Sequence, residues 1–439
     1  MQVPAKAETV IVGAGQAGLV MSHHLGQAGR DHVVLDRRST LGGSWQDRWN
    51  EFRLVTPNWT VSFPGQHYDG LDPDGFMPRD EVVERIARYA SATAAPVHLG
   101  VDVARVAVTR GNGFRLETSA GPIDADSVVV ATGSYHVPRI PPVASSLPAA
   151  TTQLHSHEYR NAGQLPPGGV LVVGSGQSGV QIAEELRDAG RSVYLSVGSA
   201  PRVPRRYRGR DIFRWLGDIA VHGPKLGTGL PTVETLPDPR LRFAPNPHLS
   251  GHGGGHETNL RQLAAEGMTL VGRVAGIDGR RLQFAPGLSG SLDRADSFFG
   301  ERIQPLIERY IALAGLDVSR DDREPIRFGP PEVEELDLDA SGISTVLWTT
   351  GYRPDFGWID LPILDDMGFP KQRRGVTGVP GLYFLGLLWQ HTQASATLFG
   401  PTLDAPYLLD AMGLAMAEPR SDDASAAVAP SGPGPSRRR

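Results

Sequence analysis

The chain of 439 residues contains no cysteine. Disulfide bonds and cysteine-ligated metals are therefore excluded, and so is thiol–disulfide exchange by the protein's own side chains. The last exclusion limits the possible reactions, because proteins with two nucleotide-binding domains commonly reduce disulfides through a pair of cysteines. A chain of that architecture without cysteine needs another chemistry.

Long apolar runs and a strong net charge are also missing. No apolar run approaches the roughly 18 to 20 residues of a membrane span, and the N-terminus lacks the basic-then-apolar pattern of a signal peptide. The formal net charge of −5 creates no field that would gather nucleic acid. We therefore expect a cytoplasmic protein of two or three domains that binds neither nucleic acid nor membrane.

What the sequence does contain is a stretch, residues 9–36, that predicts a strand, a glycine turn, a helix and a second strand. Its glycines have the G-x-G-x-x-G spacing of a dinucleotide site: the first allows the tight turn, the second the approach of the pyrophosphate, and the third close helix packing. Asp36 ends the second strand, where a carboxylate accepts hydrogen bonds from ribose hydroxyls. The residues predicted to contact the cofactor in this turn are Gly13, Gly15, Gln16, Ala17 and Gly18.

Residues 170–196 repeat this pattern, which predicts a second dinucleotide. Here the second strand ends in Ser196 rather than in an acid, and arginines follow it. A missing carboxylate together with nearby guanidinium groups suits a 2′-phosphate. The first site is therefore predicted to bind FAD and the second NADPH. The predicted contacts of the second site are Gly174, Gly176, Gln177, Ser178 and Gly179, with Arg202, Arg205 and Arg206 on the phosphate.

Residues 37–45, after the first site, form a glycine-softened turn that ends in a tryptophan. The Gly-Gly pair lets the backbone lie against a cofactor, and Trp45 is placed to cover part of it. An ordinary loop with a half-buried tryptophan is the alternative. The cofactor contacts predicted here are Arg37, Ser44 and Trp45.

The alternating latter part of residues 52–63 predicts a strand. Thr56 and Asn58 offer uncharged hydrogen-bonding groups that would suit the surroundings of a flavin. Turn chemistry around Pro57 explains them equally well.

Three histidines, His248, His252 and His256, are spaced four residues apart. Three glycines separate the last two, and acidic ligand partners are not evident, so we expect no metal site. A flexible loop near the nicotinamide is the preferred interpretation.

Three further predictions concern the second half of the chain. Apolar residues at helical spacing predict a helix over residues 297–313, which Pro305 starts or kinks. The charged, proline-rich residues 317–331 predict an exposed loop. Residues 418–439 have the composition of a disordered tail.

Longer motifs give the chain a specific resemblance. It resembles the class B flavoprotein monooxygenases, a group that includes flavin-containing monooxygenases, Baeyer–Villiger monooxygenases and N-hydroxylases, over most of its length to about Gly413. Their signature F-x-G-x-x-x-H-x-x-x-(F/Y/W) is matched at His155 and Tyr159, whereas Ala149 and Thr151 occupy its Phe and Gly positions. The other matching motifs are TPNW (56–59), DGFMPRDE (74–81), QLHSHEYRN (153–161), PRRYRGRD (204–211) and HGGGHETNLRQLA (252–264).

The resemblance implies an α/β fold with two Rossmann-like dinucleotide-binding domains, of which the FAD domain is discontinuous. Its first part would comprise residues 1–145, the NADPH domain with a helical insertion residues 146–340, and the second part of the FAD domain residues 341–417. It also implies a domain-hinge contact by His155, hydrogen bonding near flavin C4a by Asn58, and further cofactor contacts by Val103, Thr132, Gly133, Thr350, Gly351, Gly386 and Gln390.

The implied reaction is that of a single-component monooxygenase. NADPH reduces FAD, O₂ adds at flavin C4a, and the resulting (hydro)peroxyflavin delivers one oxygen atom to a small organic substrate. The substrate, the oxidised element (carbon, nitrogen or sulfur) and assembly into a homodimer stay open. The alternatives are an NADPH oxidase or reductase that does not oxygenate, and a flavin-bound redox sensor or regulator.

Overall fold

The computed structural model describes residues 3–321, 324 and 326–414. The tail predicted over residues 418–439 lies outside these described residues, as does part of the loop predicted over residues 317–331. Within the described residues, none of the helices combines the length and apolar character that crossing a membrane requires.

The first unit is built on an apolar parallel sheet. Its first strand contains the run of residues 9–12, which is buried because helices and loops cover both faces of the sheet. The elements are β1 (Lys6–Val12), α1 (Gln16–Gln27), β2 (His32–Asp36), α2 (Arg79–Ala92), β3 (Val97–Leu99), β4 (Val103–Val108), β5 (Phe114–Thr118) and β6 (Ile123–Val130).

The second unit follows a short strand, β7 (Val137–Pro138). It has its own parallel sheet, two small antiparallel sheets and helices that alternate with the strands. Its strands are β8 (Thr152–His155), β9 (Gly169–Val173), β10 (Val193–Ser196), β11 (Arg206–Tyr207), β12 (Arg210–Asp211), β13 (Thr269–Val271), β14 (Val274–Asp278), β15 (Arg281–Phe284), β16 (Glu335–Asp337) and β17 (Ile343–Trp348). Its helices are α3 (Gln177–Asp188), α4 (Ile212–His222), α5 (Leu260–Ala265), α6 (Leu288–Phe298) and α7 (Gln304–Ala314).

The chain then returns to the first unit. The returning elements are β18 (Tyr352–Arg353), β19 (Gln372–Arg373), β20 (Val376–Thr377), β21 (Leu382–Phe384) and α8 (Gly400–Ala411). The first sheet has the order β19-β20-β21-β6-β1-β2-β3, with β4 and β5 attached through β6, and the second has the order β13-β10-β9-β17-β8. Pairings within the second sheet, and from β21 to β3 in the first, are parallel. The predicted α/β fold with two Rossmann-like units, one of them discontinuous, is confirmed.

The two crossings between the units lie side by side. β7, on the outgoing segment, pairs antiparallel with β18 on the returning one. A single cluster of buried apolar side chains also runs through both units, from Leu19 and Trp49 in the first to Tyr159 and Val180 in the second. The units therefore share a packed interface.

One local prediction is confirmed and another was wrong. Residues 297–313 are helical as predicted, with a π-helical turn at Phe299–Ile303 between α6 and α7. Pro305 lacks the backbone N–H that a continuous α-helix needs, which favours a break at this point. Instead of a strand near residues 59–63, the structure has a 3₁₀ turn at Asn58–Thr60, where the Thr60 hydroxyl donates to the Pro57 carbonyl at 2.7 Å.

Candidate dinucleotide sites and the cavity between the units

The first glycine turn lies between β1 and α1 and cannot accept side chains at two positions. Gly13 has φ +109°, and a Cβ there would lie 2.7 Å from the Ala131 carbonyl oxygen. A Cβ on Gly18 would lie 1.8 Å from the Gly13 carbonyl oxygen. Gly15, by contrast, has no heavy atom within 4 Å of such a Cβ, and no side chain caps α1 among the described residues. This leaves space and helix N–H groups, including those of Gln16 and Ala17, for a pyrophosphate.

Asp36 stands at the carboxyl end of β2, beside this turn. Its Oδ2 accepts a hydrogen bond from the Ala14 N–H at 2.7 Å, and its Oδ1 accepts one from the Arg38 N–H at 2.8 Å. Backbone donors on both sides therefore fix the carboxylate where a ribose would reach it. Arg37 lies between Asp36 and Arg38 in sequence.

Two other segments meet the first turn of α1. A Cβ on Gly43 would lie 3.2 Å from the Gly15 Cα, and the Trp45 indole N–H donates to Gln16 Oε1 at 3.3 Å. Ser44 lies between these two residues, in a 3₁₀ helix at Gly43–Asp47. From the other side, a Cβ on Gly386 would lie 2.8 Å from the Ala17 Cβ. The structure thus brings together several predicted contacts that are far apart in sequence.

The segment after β21 carries further polar groups towards this region. Gln390 is fully buried; its Oε1 accepts from the Leu387 N–H at 3.3 Å, and its Nε2 has no hydrogen-bond partner among the described residues. Trp389, just before it, has φ +50°, an uncommon conformation for a bulky residue. A buried unpaired amide next to backbone strain is typical of a ligand site.

Two of the remaining predicted contacts of the first unit follow a strand end. Thr132 and Gly133, the latter with φ +74°, come directly after β6. Val103 begins β4, but Val101 is the residue that contacts the acid position, since its N–H donates to the Asp36 carbonyl at 2.9 Å. Val101 therefore lies beside the carboxyl end of β2.

The second glycine turn repeats the constraints of the first. Gly174 has φ +111°, and a Cβ on Gly179 would lie 2.0 Å from the Gly174 carbonyl oxygen. No side chain caps α3 at Gly176 among the described residues, so the N–H groups of its first turn, at Gln177 and Ser178, are available to an anion. Thr349 packs on this turn, because its hydroxyl donates to the Gly174 carbonyl at 2.6 Å.

The link that follows Thr349 joins the two crossings. The Gly351 carbonyl accepts from the Arg139 N–H at 2.9 Å, and it lies 3.0 Å from His155 Nε2. The Thr350 hydroxyl donates to the Arg139 carbonyl. The His157 N–H points at His155 Nδ1 at 3.1 Å, which assigns the ring proton to Nε2, and burial lowers the pKa of His155. The neutral imidazole at the end of β8 thus donates to the segment that returns to the first unit, which is where a hinge contact would lie.

A loop of the second unit, residues 248–256, lies across the second glycine turn. The Gln177 side-chain amide holds it by donating to the Leu249 carbonyl and accepting from the Leu249 N–H at 3.2 Å. His248 Nε2 lies 2.5 Å from the Ser175 carbonyl oxygen, and burial lowers the pKa of His248 to about 4, so the ring is neutral and donates. The loop is therefore fastened directly to the proposed coenzyme-binding backbone.

The third histidine of the loop has a different partner. His256 Nε2 lies 3.1 Å from Glu184 Oε1 on α3, and the hydrogen bond to this carboxylate raises the pKa of His256. His248 and His256 thus both attach the loop to the second unit. Within the part of the chain that the structure describes, no group of three or more His, Cys, Asp or Glu side chains is arranged to hold a metal ion.

The arginines predicted to bind the 2′-phosphate are largely occupied. Arg202 forms ion pairs with Asp296 at 2.7 Å and Glu257 at 2.8 Å. Arg205 is buried, pairs with Asp211 at 2.7 Å and donates to the Val55 carbonyl at 2.6 Å. Carboxylates therefore engage both guanidinium groups, while the buried Nη2 of Arg205 has no hydrogen-bond partner among the described residues. Arg206 is exposed, in the β11–β12 hairpin.

A cavity of about 460 Å³ lies between the two units. Asn58 forms part of its wall: its Nδ2 donates to the Asp72 carbonyl at 2.9 Å, whereas its buried Oδ1 has no hydrogen-bond partner among the described residues. An unpaired buried amide oxygen is costly unless a ligand or water satisfies it. The lining residues are Arg53, Asn58, Tyr68, Asp72, Gly75, Phe76, Met77, Pro78, Glu81, Gly251, Gly253 and Gly254.

Sequence reasoning missed the contacts that form this cavity. A Cβ on Gly251 would lie 2.0 Å from the Leu54 carbonyl oxygen, and the Arg205 guanidinium lies 4.1 Å from the centre of the Phe76 ring. These pairs join segments more than a hundred residues apart. The only sequence signal was the glycine run of residues 253–255, which indicates a loop that other backbone can approach closely.

Two parallel sheets, each with a glycine turn at the carboxyl end of an interior strand, define a fold with two candidate dinucleotide sites. The family model described as pyridine nucleotide-disulphide oxidoreductase matches residues 10–209. A CzcO-like oxidoreductase of Geobacillus kaustophilus is 32% identical over 92% of this chain and 97% of its own length. The chain belongs to this family of CzcO-like oxidoreductases.

Two further similarities concern monooxygenases. Indole-3-pyruvate monooxygenase YUCCA1 of Oryza sativa subsp. japonica is 29% identical over 86% of each chain. The solved structure of a flavin-containing monooxygenase from Stenotrophomonas maltophilia covers 94% of this chain and 99% of its own, with a TM-score of 0.61 and 22% identity. The resemblance to class B flavoprotein monooxygenases is confirmed.

Proposed function

We propose that this protein is a flavin-dependent monooxygenase that binds FAD at the first glycine turn and NADPH at the second. It would transfer one oxygen atom of O₂ to a small organic substrate held in the cavity between the units. Bound FAD would supply the redox chemistry that links NADPH oxidation to the use of O₂, with the second oxygen atom leaving as water. The protein supplies binding, orientation and exclusion of water.

The residues around the first turn fit FAD. The α1 N-terminus suits the pyrophosphate and Asp36 the adenosine ribose, and the close approach of Gly386 to Ala17 brings the segment after β21 to the same turn. Gln390 would then offer its unpaired Nε2 to the isoalloxazine.

The observation that carries the proposal is the position of Asn58. It lies in the first unit and lines one cavity with residues 251, 253 and 254 of the second unit, and its buried amide oxygen has no hydrogen-bond partner among the described residues. In the proposed reaction this oxygen accepts a hydrogen bond at the reacting centre, and the loop fastened by Gln177 keeps bulk water out.

The absence of cysteine distinguishes the proposed oxygenation from disulfide reduction, the reaction named in the description of the family model. Disulfide reduction at a flavin uses a thiol pair of the protein, and this chain has none. Dioxygen and a small molecule are acceptors that need no protein thiol.

The test is NADPH consumption by the FAD-loaded protein, screened against amines, thioethers, ketones and 2-oxo acids with H₂O₂ measured alongside. A compound that gains one oxygen atom while H₂O₂ falls would support the proposal. Stoichiometric H₂O₂ with every compound would instead indicate an NADPH oxidase or reductase, and flavin that NADPH cannot reduce would indicate a sensor.

A further inference from the structure

At the carboxyl end of β10, the second sheet has Ser196 where the first sheet has Asp36, and the Ser196 hydroxyl is bonded away from the glycine turn. Ser196 ends β10, is buried, and its hydroxyl donates to the Gly272 carbonyl at 2.9 Å. The corresponding Asp36 keeps its carboxylate at the glycine turn through the Ala14 N–H. The second site therefore offers an adenosine ribose neither a carboxylate nor this hydroxyl.

Strand register identifies the residue that stands beside this position. In the first sheet Asp36 pairs with Leu99 at the end of β3, and in the second Ser196 pairs with Val271 at the end of β13. Two residues beyond the pair come Val101 in the first unit and Arg273 in the second. A buried valine that contacts the acid position is thus replaced by an arginine that adjoins the serine position.

Arg273 is exposed, and its guanidinium has no hydrogen-bond or ion-pair partner among the described residues. Its backbone is fixed, because its carbonyl accepts from the Ala285 N–H at 2.8 Å. Arg202 and Arg205, predicted from the sequence to bind the phosphate, are held by carboxylates instead. A free guanidinium on a fixed backbone can meet a phosphate with two parallel hydrogen bonds.

We propose that Arg273 binds the 2′-phosphate of NADPH and sets the preference for NADPH over NADH. This inference rests on the proposed function, in that a dinucleotide occupies the glycine turn at Gly174. It assigns coenzyme selection to the exit of β13 rather than to the arginine cluster after β10.

The test uses the FAD-loaded protein and calorimetric titration with 2′,5′-ADP and with 5′-AMP, two probes that differ by the 2′-phosphate. For Arg273→Gln we expect roughly 10- to 100-fold weaker binding of 2′,5′-ADP and unchanged binding of 5′-AMP, since one charge-assisted pair is lost. Arg273→Lys should recover part of the loss, because it keeps the charge but not the bidentate geometry.

Arg206→Gln tests the competing position, because Arg206 is an exposed arginine of the cluster that the sequence predicted to bind the phosphate. Arg110→Gln, in an exposed turn of the first unit, is the control. Unchanged 2′,5′-ADP binding in Arg273→Gln, or a loss confined to Arg206→Gln, would overturn the inference while leaving NADPH use intact. A wild-type protein that binds the two probes equally would contradict NADPH use itself, and the inference with it.

Discussion

Asn58 lines the cavity, and its buried amide oxygen has no hydrogen-bond partner among the described residues. If this amide assists the reaction with dioxygen, Asn58→Ala should leave NADPH oxidation in place but release H₂O₂ instead of oxygenated product. We expect the ratio of product to H₂O₂ to fall about 10- to 100-fold, as for a lost active-site hydrogen bond. The measurement is product and H₂O₂ formed per NADPH.

Asn112→Gly is a suitable control for this change. Asn112 lies in an exposed turn with φ +61°, where glycine fits without strain. Equal product-to-H₂O₂ ratios in Asn58→Ala and the control would show that Asn58 has only a structural role.

At the residue scale, the sequence predicted best where a backbone constraint dictates the residue. The positions of Gly13, Gly18, Gly174 and Gly179 follow from a turn that a Cβ would block. It predicted least well for arginines, because spacing does not reveal whether a carboxylate from a distant segment, such as Asp296 beside Arg202, already holds the guanidinium.

Helices α1 and α3 begin at equivalent turns, which allows the two sites to be disabled one at a time. A Cβ on Gly18 or on Gly179 would collide with the carbonyl oxygen of the first glycine of its own turn. Gly18→Ala should therefore lower the FAD content of the purified protein several-fold. Gly179→Ala should retain FAD and weaken NADP⁺ binding at least tenfold. Flavin absorbance and NADP⁺ titration measure the two effects.

Gly26→Ala, in the last turn of α1, is the control for both variants. A Cβ there would have its nearest neighbour at 4.0 Å, so we expect full binding of both cofactors and a gain in stability of about 1 kcal/mol or less. Loss of FAD from Gly179→Ala, with FAD retained in Gly18→Ala, would mean that the two sites have been assigned the wrong way round.

Helix α3 also carries a half-buried carboxyl group that should make stability depend on pH. The Tyr159 hydroxyl donates to Glu185 Oε1 at 2.8 Å, Oε2 has no hydrogen-bond partner among the described residues, and burial raises the pKa of Glu185 to about 7. The folded protein then holds this proton more tightly than the unfolded chain. Raising the pH from about 4.5 to about 7 should therefore reduce stability through this group.

The variant Glu185→Gln, which keeps the acceptor for Tyr159, should flatten this part of the stability curve. We expect a difference on the order of 1 kcal/mol, smaller than the full pKa shift implies because the side chain is partly solvated. Thermal unfolding between pH 5 and about 7.5 measures it, and Glu266→Gln, at an exposed ion pair with Arg187, is the control. Identical pH profiles for wild type and Glu185→Gln would exclude a raised pKa.

At the element scale, strands and helices with strong periodicity were predictable, and the form of their interruptions was not. The strand–turn–helix units at β1 and β9 follow from β-branched runs and glycine spacing. The π-helical turn before α7 and the 3₁₀ turn at Asn58–Thr60 depend on single prolines, Pro305 and Pro57, whose effect competes with an otherwise regular apolar pattern.

At the scale of the whole molecule, the resemblance predicted two units and their order, whereas the cavity between them depends on tertiary contacts. It forms where residues 53–81 of the first unit meet residues 251–254 of the second. No local pattern in either segment encodes this meeting. It results from the paired crossings at β7 and β18 and from the apolar cluster that both units share.

The central claim is that the two units hold different carriers between which a hydride passes. Anaerobic titration of the purified, FAD-containing protein with NADPH, monitored by flavin absorbance, tests this claim most directly. We predict bleaching of the oxidised flavin at about one NADPH per FAD, because a hydride carries two electrons, and a much slower reaction with NADH. A protein that takes up no flavin, or a flavin that stays oxidised under excess NADPH, would contradict the account.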